Sequence, residues 1–473
     1  MTNKALKVIV IGSGFGGLST ALLLAKAGCK VVVLERQQQP GGCIQSYERS
    51  GYALDTGMHY IGGLDQGQPL HDLFGELGLL QLPWHRLDAD GFDLVTIGSE
   101  TFRFAEGFTL FAETLAERFP QEREALHRYA CLLKELPTVM DIGETPAYKY
   151  LTDNFNDSLL INVLAATSLK TELRRESLPL FHFAHGQSSF IQSSWRLAGE
   201  GGLIVQQLIS GIVAHGGELY CECEVDELIE QEGRIAAVHC ANGLTFEGDA
   251  YVSDVHPALT FGMVRQSQVL KRLFRRRISS LDNTTGMFTA SLVLRPGVIP
   301  YFNHNKYIYR EANVWEEPNQ DGPVDRVMVS AHVPADGGDS VTLIDLITPM
   351  PWAVCQPWQD TAVGRRGRDY KAMKQQWAAA CIALAETQLP GLRAAVSSMY
   401  TSTPLTYRDY TLTPQGSAYG LRKDCRSLLT TLLSPRTPIP NLKLTGQNLI
   451  LHGLEGVAMT ARMTADEVLN IER

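Results

Sequence analysis

The chain has 473 residues, 44% hydrophobic and 20% charged, which excludes a disordered polymer and leaves room for roughly two or three domains. Lys and Arg number 42 against 51 Asp and Glu, a formal net charge of −9, which argues against nucleic acid as the main partner because phosphate binding needs basic surface. No apolar run reaches the ~18 residues of a spanning helix, and the apolar stretch from Lys7 leaves no space for a secretory leader, so a cytoplasmic location is expected.

Residues 7 to 11, Lys-Val-Ile-Val-Ile, read as a central parallel strand buried on both faces. Gly12-Ser13-Gly14-Phe15-Gly16-Gly17 follows, then a run of small and apolar residues at helical spacing that Gly28 ends. Lys30 to Leu34 is a second buried strand, closed by Glu35. The order strand, GxGxxG, helix, strand, acid predicts a dinucleotide site. Gly12 permits the tight turn, Gly14 the approach of a pyrophosphate, and Gly17 the packing of helix on strand. The helix N-terminus offers free N–H groups to phosphate, and Glu35 is spaced to bind ribose hydroxyls.

Arg36 comes next, and after Gln-Gln-Gln-Pro a second glycine pair, Gly41-Gly42. A plain nicotinamide domain has no need of that pair, whereas a longer cofactor must pass it. The pattern resembles the glycine motif and E-R-x-x-x-x-G-G of the glutathione-reductase-like FAD superfamily, and the resemblance implies FAD. The segment Asp55-Thr56-Gly57-Met58-His59-Tyr60-Ile61-Gly62 is similar to the phytoene desaturase family and, in this form, to its retinol saturase branch. Leu444-Thr445-Gly446-Gln447-Asn448 and His452 to Val457 resemble the C-terminal FAD segment of the same families, which implies contacts from Gly446, Gln447, Gly456 and Val457. A helix from about Gly456 to Ile471 would point its N-terminus at the flavin. In the middle of the chain, Gly199 to Leu203 resembles the family's glycine segment, and Val225 matches the position whose backbone meets the adenine.

The expected fold is α/β: a Rossmann-like FAD-binding domain with an α+β substrate domain of antiparallel sheet plus helical cap. The FAD domain is assigned residues 1–85, 195–260 and 410–473, and the substrate domain residues 86–194 and 261–409. Phe108 to Phe119 and Arg123 to Leu136 read as helices. Phe288 to Leu294, Arg326 to His332 and Ser340 to Ile347 alternate as half-buried strands do. Nine cysteines without a CxxC pair fit reduced thiols, and Cys221 and Cys223 are expected on one face of a strand, packed rather than metal-bound. Residues 262–280 mix five arginines and a lysine with apolar positions. They are expected to form a helix packed on its own domain, the other reading being peripheral contact with an anionic membrane.

No second strand–GxGxxG–helix unit is evident, so the electron donor or acceptor stays open. The resemblance implies hydride transfer between flavin N5 and a carbon–carbon bond of a lipophilic polyene or isoprenoid-like substrate, as saturase or desaturase. One proton donor is wanted. His59 and Tyr60 come first, because their segment follows the double glycine, and His182, His185 and Tyr419 follow. Alternatives are a flavin-dependent carotenoid isomerase, an amine oxidase (Tyr407, Tyr410 and Tyr419 keep that open), and a flavin-free prenyl-lipid carrier like the Rab GDP-dissociation inhibitors. No metal site is expected.

Overall fold

The computed structural model describes residues 5–170, 173–318, 324–334 and 337–471. Lys7–Ile11 is the middle strand of a five-stranded parallel sheet, in the order Glu218–Tyr220, Lys30–Leu34, Lys7–Ile11, Ala250–Ser253, Leu442–Leu444. Alternate side chains of the apolar strands serve two cores. Val8, Val10, Val31 and Val33 pack under the helices Phe15–Lys26, Gly202–Ala214 and Gly453–Leu469. Ile9, Ile11, Val32 and Leu34 pack under an antiparallel meander, Val225–Gln231, Arg234–Cys240 and Thr245–Glu247. The polypeptide ends meet here: the last strand lies beside Ala250–Ser253, and Thr20 and Thr445 share a buried hydroxyl contact of 3.0 Å.

A second sheet has seven strands, in the order Val396–Ser402, Gly286–Leu294, Leu343–Met350, Arg326–Ala331, Asn305–Tyr309, Asp93–Ile97, Glu100–Phe104. All pairings are antiparallel except Asn305–Tyr309 with Asp93–Ile97. Its central strands were expected to be half-buried, but they are buried along their whole length. Helices between Phe108 and Gln192 cover one face, and Gly367–Ala385 covers the other. The polar residues behind the apparent alternation are themselves internal: Ser291 bonds Asp345 across neighbouring strands, and Thr348 bonds the carbonyl of Arg326. A small sheet of Ile61–Gly62, Ser194–Leu197 and Trp84–Arg86 ties the two halves together.

Three local expectations need correction. The strand expected to carry Cys221 and Cys223 is two strands, Glu218–Tyr220 and Val225–Gln231, broken where Glu222 takes a positive φ of 55°. Cys221 and Cys223 therefore sit in a bend, and only Cys223 is buried. The basic stretch forms only a short helix, Arg272–Ser279. It packs Leu270 and Ile278, with Phe261 and Val264, into the core beneath the parallel sheet, not into the substrate half. One arginine there is internal cement: the Arg275 guanidinium donates to the carbonyls of Phe261 and, at 2.6 Å, Val264. No described helix is long and apolar enough to cross a membrane.

Candidate cofactor and substrate site

Neighbours of Lys7–Ile11 connect to opposite sides, so the carboxyl ends of Lys7–Ile11 and Ala250–Ser253 open a crevice of the kind in which parallel sheets hold ligands. Three loops close around it with backbone on backbone. Gly12 turns sharply at φ 93°. A Cβ on Gly17 would lie 2.1 Å from the Gly12 carbonyl oxygen, so the helix can approach its strand only without a side chain. A Cβ on Gly42 would lie 3.1 Å from Gly14 Cα, and one on Gly16 would lie 2.7 Å from Gly446 Cα. The opening glycine motif, the double glycine and the C-terminal segment are thus in direct contact. Gly41, against Val205, and Gly456, against Leu451, stand behind the crevice and set how closely their loops pack.

Glu35 is buried at the end of its strand, with a carboxylate fixed by the first loop. One oxygen accepts from the Ser13 amide at 3.0 Å and from the Ser13 hydroxyl; the other accepts from the Gln37 amide at 2.8 Å. The Ser13 hydroxyl also accepts from the Gly41 amide at 3.2 Å. Arg36 donates to the Asp409 carbonyl at 3.2 Å, and Val225 opens the strand on the other side of the cavity.

One elongated cavity of about 690 Å3 runs from this end through the crevice. Glu35, Arg36 and Val225 line its first part; Gly12 to Gly16 and Gly42 line the middle. Gln447 and Val457 line the far part, beside Tyr407 and Tyr419. Beyond them Phe183, Phe190, Met287 and Ile347 from the helical cap and the large sheet line the wall, together with polar side chains of the cap, among them Gln187 and Ser189. The last helix, Gly453–Leu469, starts three residues before the expected Gly456, so Gly453 and Leu454 also reach the wall.

His59 and Tyr60 both line this cavity, but their polar atoms differ in what they face. The Tyr60 ring stacks on Phe190 at 4.3 Å. Its hydroxyl donates to Asp93 at 3.0 Å and lies 2.6 Å from the Tyr307 hydroxyl. Burial and the Asp93 charge hold its pKa well above the usual range, so it keeps its proton. His59 Nδ1 stands 3.8 Å from the Asp345 carboxylate. His182 bonds the Ile450 carbonyl at 2.8 Å, and burial pushes its pKa down to about 3, so it is neutral. His185 lies 3.6 Å from Glu455, which also accepts from Ser189. Burial raises the phenols of Tyr407 and Tyr419.

Two residues of this site were not singled out from sequence. Asp254 follows Ala250–Ser253 and stands against Gly14, Gly16 and Gly446; burial pushes its carboxyl up to about 7, with Glu35 adding and the Gly17 amide opposing. Its signal was its place at the crevice end of the strand. Lys423 is buried and donates to the carbonyls of Thr431, Asn448 and Leu449 at 2.7–3.0 Å, tying down the loop that carries Gln447. Burial lowers its pKa to about 7. Nothing in the local sequence marks it.

The donor set fits FAD. A carboxylate stands at one end, backbone amides of a glycine turn and helix N-terminus in the middle, and a wall with several aromatic and aliphatic side chains at the other end. The family model described as flavin containing amine oxidoreductase matches residues 15–340. The chain is 25% identical to all-trans-retinol 13,14-reductase of Homo sapiens, over 98% of this chain and 86% of that protein. It is 23% identical to the chloroplastic prolycopene isomerase of Daucus carota, over 97% and 80%. Among solved structures, an oxidoreductase from Methanosarcina mazei superposes with a TM-score of 0.70 at 16% identity, covering 98% of this chain and all of that one. Putrescine oxidase with bound putrescine gives 0.67 at 14%, covering 98% and 99%. At these identities the structural likeness establishes the fold.

Proposed function

The chain belongs to the flavin containing amine oxidoreductase family and binds FAD, and from that premise we propose that it moves hydride between the flavin and a carbon–carbon bond of a lipophilic polyene or isoprenoid-like lipid. The observation that carries this reading is the far end of the cavity, where Phe183, Phe190, Met287 and Ile347 give apolar wall continuous with the glycine crevice, with Gln187 and Ser189 among them. Such a wall binds by area removed from water, at roughly 25 cal/mol per Å2 of apolar surface, and suits a flat hydrocarbon. The relatives whose names carry all-trans-retinol and prolycopene support the same class.

Bound FAD supplies the redox chemistry, and the chain supplies position and charge. Glu35, already oriented by Ser13 and Gln37, would take the ribose hydroxyls. The amides of the turn from Gly12 to Gly17 would take the phosphates, with Gly41 and Gly42 leaving room for them to pass. Val225 would meet the adenine with Arg36, held by the Asp409 carbonyl, at the same end, and Gln447 and Val457 would border the ring while Gly446 and Gly456 pack their segments behind it. The division into an FAD half (1–85, 195–260, 410–473) and a substrate half (86–194, 261–409) belongs to this reading, with residues 261–281 moved to the FAD half because their core lies there. His59 is assigned as the proton donor. It borders the cavity while Tyr60 is committed to Asp93, so Tyr60 serves as wall.

A second reading, amine oxidation, rests on Tyr407 and Tyr419 lining the same cavity. Anaerobic mixing of the dithionite-reduced protein with all-trans-retinol or lycopene, and of the oxidised protein with putrescine, separates the two. The proposal expects flavin reoxidation by a polyene and a product heavier by two hydrogens. Failure of every polyene to reoxidise the flavin, with oxidised protein reduced by the amine, would overturn it.

A further inference from the structure

Behind the wall of the main cavity lies a small one of about 10 Å3, near the volume that admits a single water. Asp55, His59, Arg196 and His332 contribute its polar lining. Among the described residues, His59 is the one titratable side chain that borders both cavities. Its Nδ1 lies 3.8 Å from Oδ2 of Asp345. The same oxygen is 2.8 Å from Nε2 of His332, while Oδ1 accepts from the Ser291 hydroxyl at 2.5 Å. Asp345 is 1% exposed. A carboxylate in mid-sheet costs several kcal/mol of desolvation unless paired, so its placement between two histidines calls for a use.

The ionisation of the group follows from its neighbours. Burial pushes the Asp345 carboxyl up, but His332, His59 and Ser291 together outweigh it and hold it below the usual range. Burial disfavours a charged His332, but Asp345 and Asp55 outweigh that and raise its pKa above the ordinary histidine value, with Arg196 opposing. Tyr47 and Tyr407 also face the Asp345 charge. Both shifts favour an imidazolium beside a carboxylate.

We propose that His332 and Asp345 form a buried proton relay behind His59, with Asp345 as the positioning residue and His332 as the group that returns to His59 the proton it delivers. This rests on the reading of His59 as donor. The balance is simple. The double bond is reduced by a hydride at one carbon, whose two electrons come from the reduced flavin. At the other carbon a C–H bond forms as an N–H bond of His59 breaks. His332 then passes its proton to His59, through Asp345 or a water in the small cavity, and ends neutral. Solvent restores it. His332 keeps 19% of its side chain accessible, against 1% for Asp345, so the proton would be restored at His332 and not at Asp345.

The test is a 15N-imidazole NMR titration of the FAD-loaded protein, with His59→Gln and His332→Gln used to assign the two rings. In Asp345→Asn the midpoint of His332 falls, and in both Asp345→Asn and His332→Gln the titration curve of His59 changes. An identical His59 curve in wild type and both variants would overturn the relay without touching the reading of His59, because no substrate is present. Should Asp345→Asn lose FAD, His332→Gln decides. That reading is probed separately by single turnover of reduced protein with all-trans-retinol. His59→Gln slows it ~100-fold or more, whereas His332→Gln, acting only after the proton is delivered, leaves the single turnover unchanged but slows kcat about tenfold at unchanged KM in multiple turnovers with excess dithionite, and displaces the pH profile. An unchanged rate in His59→Gln would remove both claims.

Discussion

Gly16 probes the contact between the two ends of the chain. It lies in the first turn of Phe15–Lys26, where alanine should be favoured by ~1 kcal/mol. Yet an added Cβ would stand 2.7 Å from Gly446 Cα, 2.9 Å from Gly446 N and 2.5 Å from Asp254 Oδ1. Carbon atoms rest at about 3.5–4.0 Å, so in Gly16→Ala the C-terminal segment must retreat by roughly 1 Å. Overpacking of this kind costs ~1–3 kcal/mol, and the helix gain offsets part of it. Net loss of stability is expected at ~0–2 kcal/mol. Retreat relieves the clash in the free protein, and FAD binding must restore it, so ~1–2 kcal/mol should appear in affinity, a rise of about 5- to 30-fold in Kd. Flavin fluorescence titration reads the affinity and urea unfolding the stability. Gly75→Ala is the control: it is helical and exposed, and its Cβ would meet nothing nearer than a Leu80 methyl at 3.4 Å. It should gain ~0.5–1 kcal/mol with unaltered FAD affinity. Wild-type FAD affinity in Gly16→Ala would refute the reasoning.

Other outcomes follow from single contacts. Glu35→Gln keeps the shape but loses the charge that the Ser13 and Gln37 amides orient, and FAD should bind about tenfold or more weakly by equilibrium dialysis. Burial pushes the Asp55 carboxyl up to about 7, with His332 and the Gly201 amide only partly offsetting it. The folded state then holds a proton that the unfolded chain has lost, so stability falls as pH rises from the unfolded value of 3.8 through about 7, by at most ~1.4 kcal/mol per pH unit from this group. Asp55→Asn should flatten the urea midpoint across that window, and an unchanged slope would contradict the assignment. Thr445→Val removes the hydroxyl facing Thr20 at 3.0 Å and should cost ~0.5–1.5 kcal/mol, with a non-zero coupling to Thr20→Val in a double-mutant cycle.

The crevice was legible in the sequence because its constraints fall on single residue types. Only glycine fits at Gly17, where any side chain meets the Gly12 carbonyl, and Glu35 follows from a count of residues along a strand–helix–strand unit. The C-terminal half of the site was legible only through family likeness, since Gly446 has no periodic context of its own. The acid cluster was not legible at all. Asp345, Ser291 and His332 come from separate stretches of chain, and their polarity reads locally as the alternation of half-buried strands. Burial under a helix on each face turns those same residues inward. The basic stretch does pack through its apolar positions, over a shorter helix than expected, and Arg275 spends its charge on two carbonyls.

The central claim is that both ends of the polypeptide make one FAD site, and hydrogen–deuterium exchange with and without FAD addresses it most directly. Amides of residues 12–17, 35–42 and 446–457 should gain protection together, with the same dependence on FAD concentration. Protection confined to the N-terminal segments, with 446–457 exchanging as before, would contradict it.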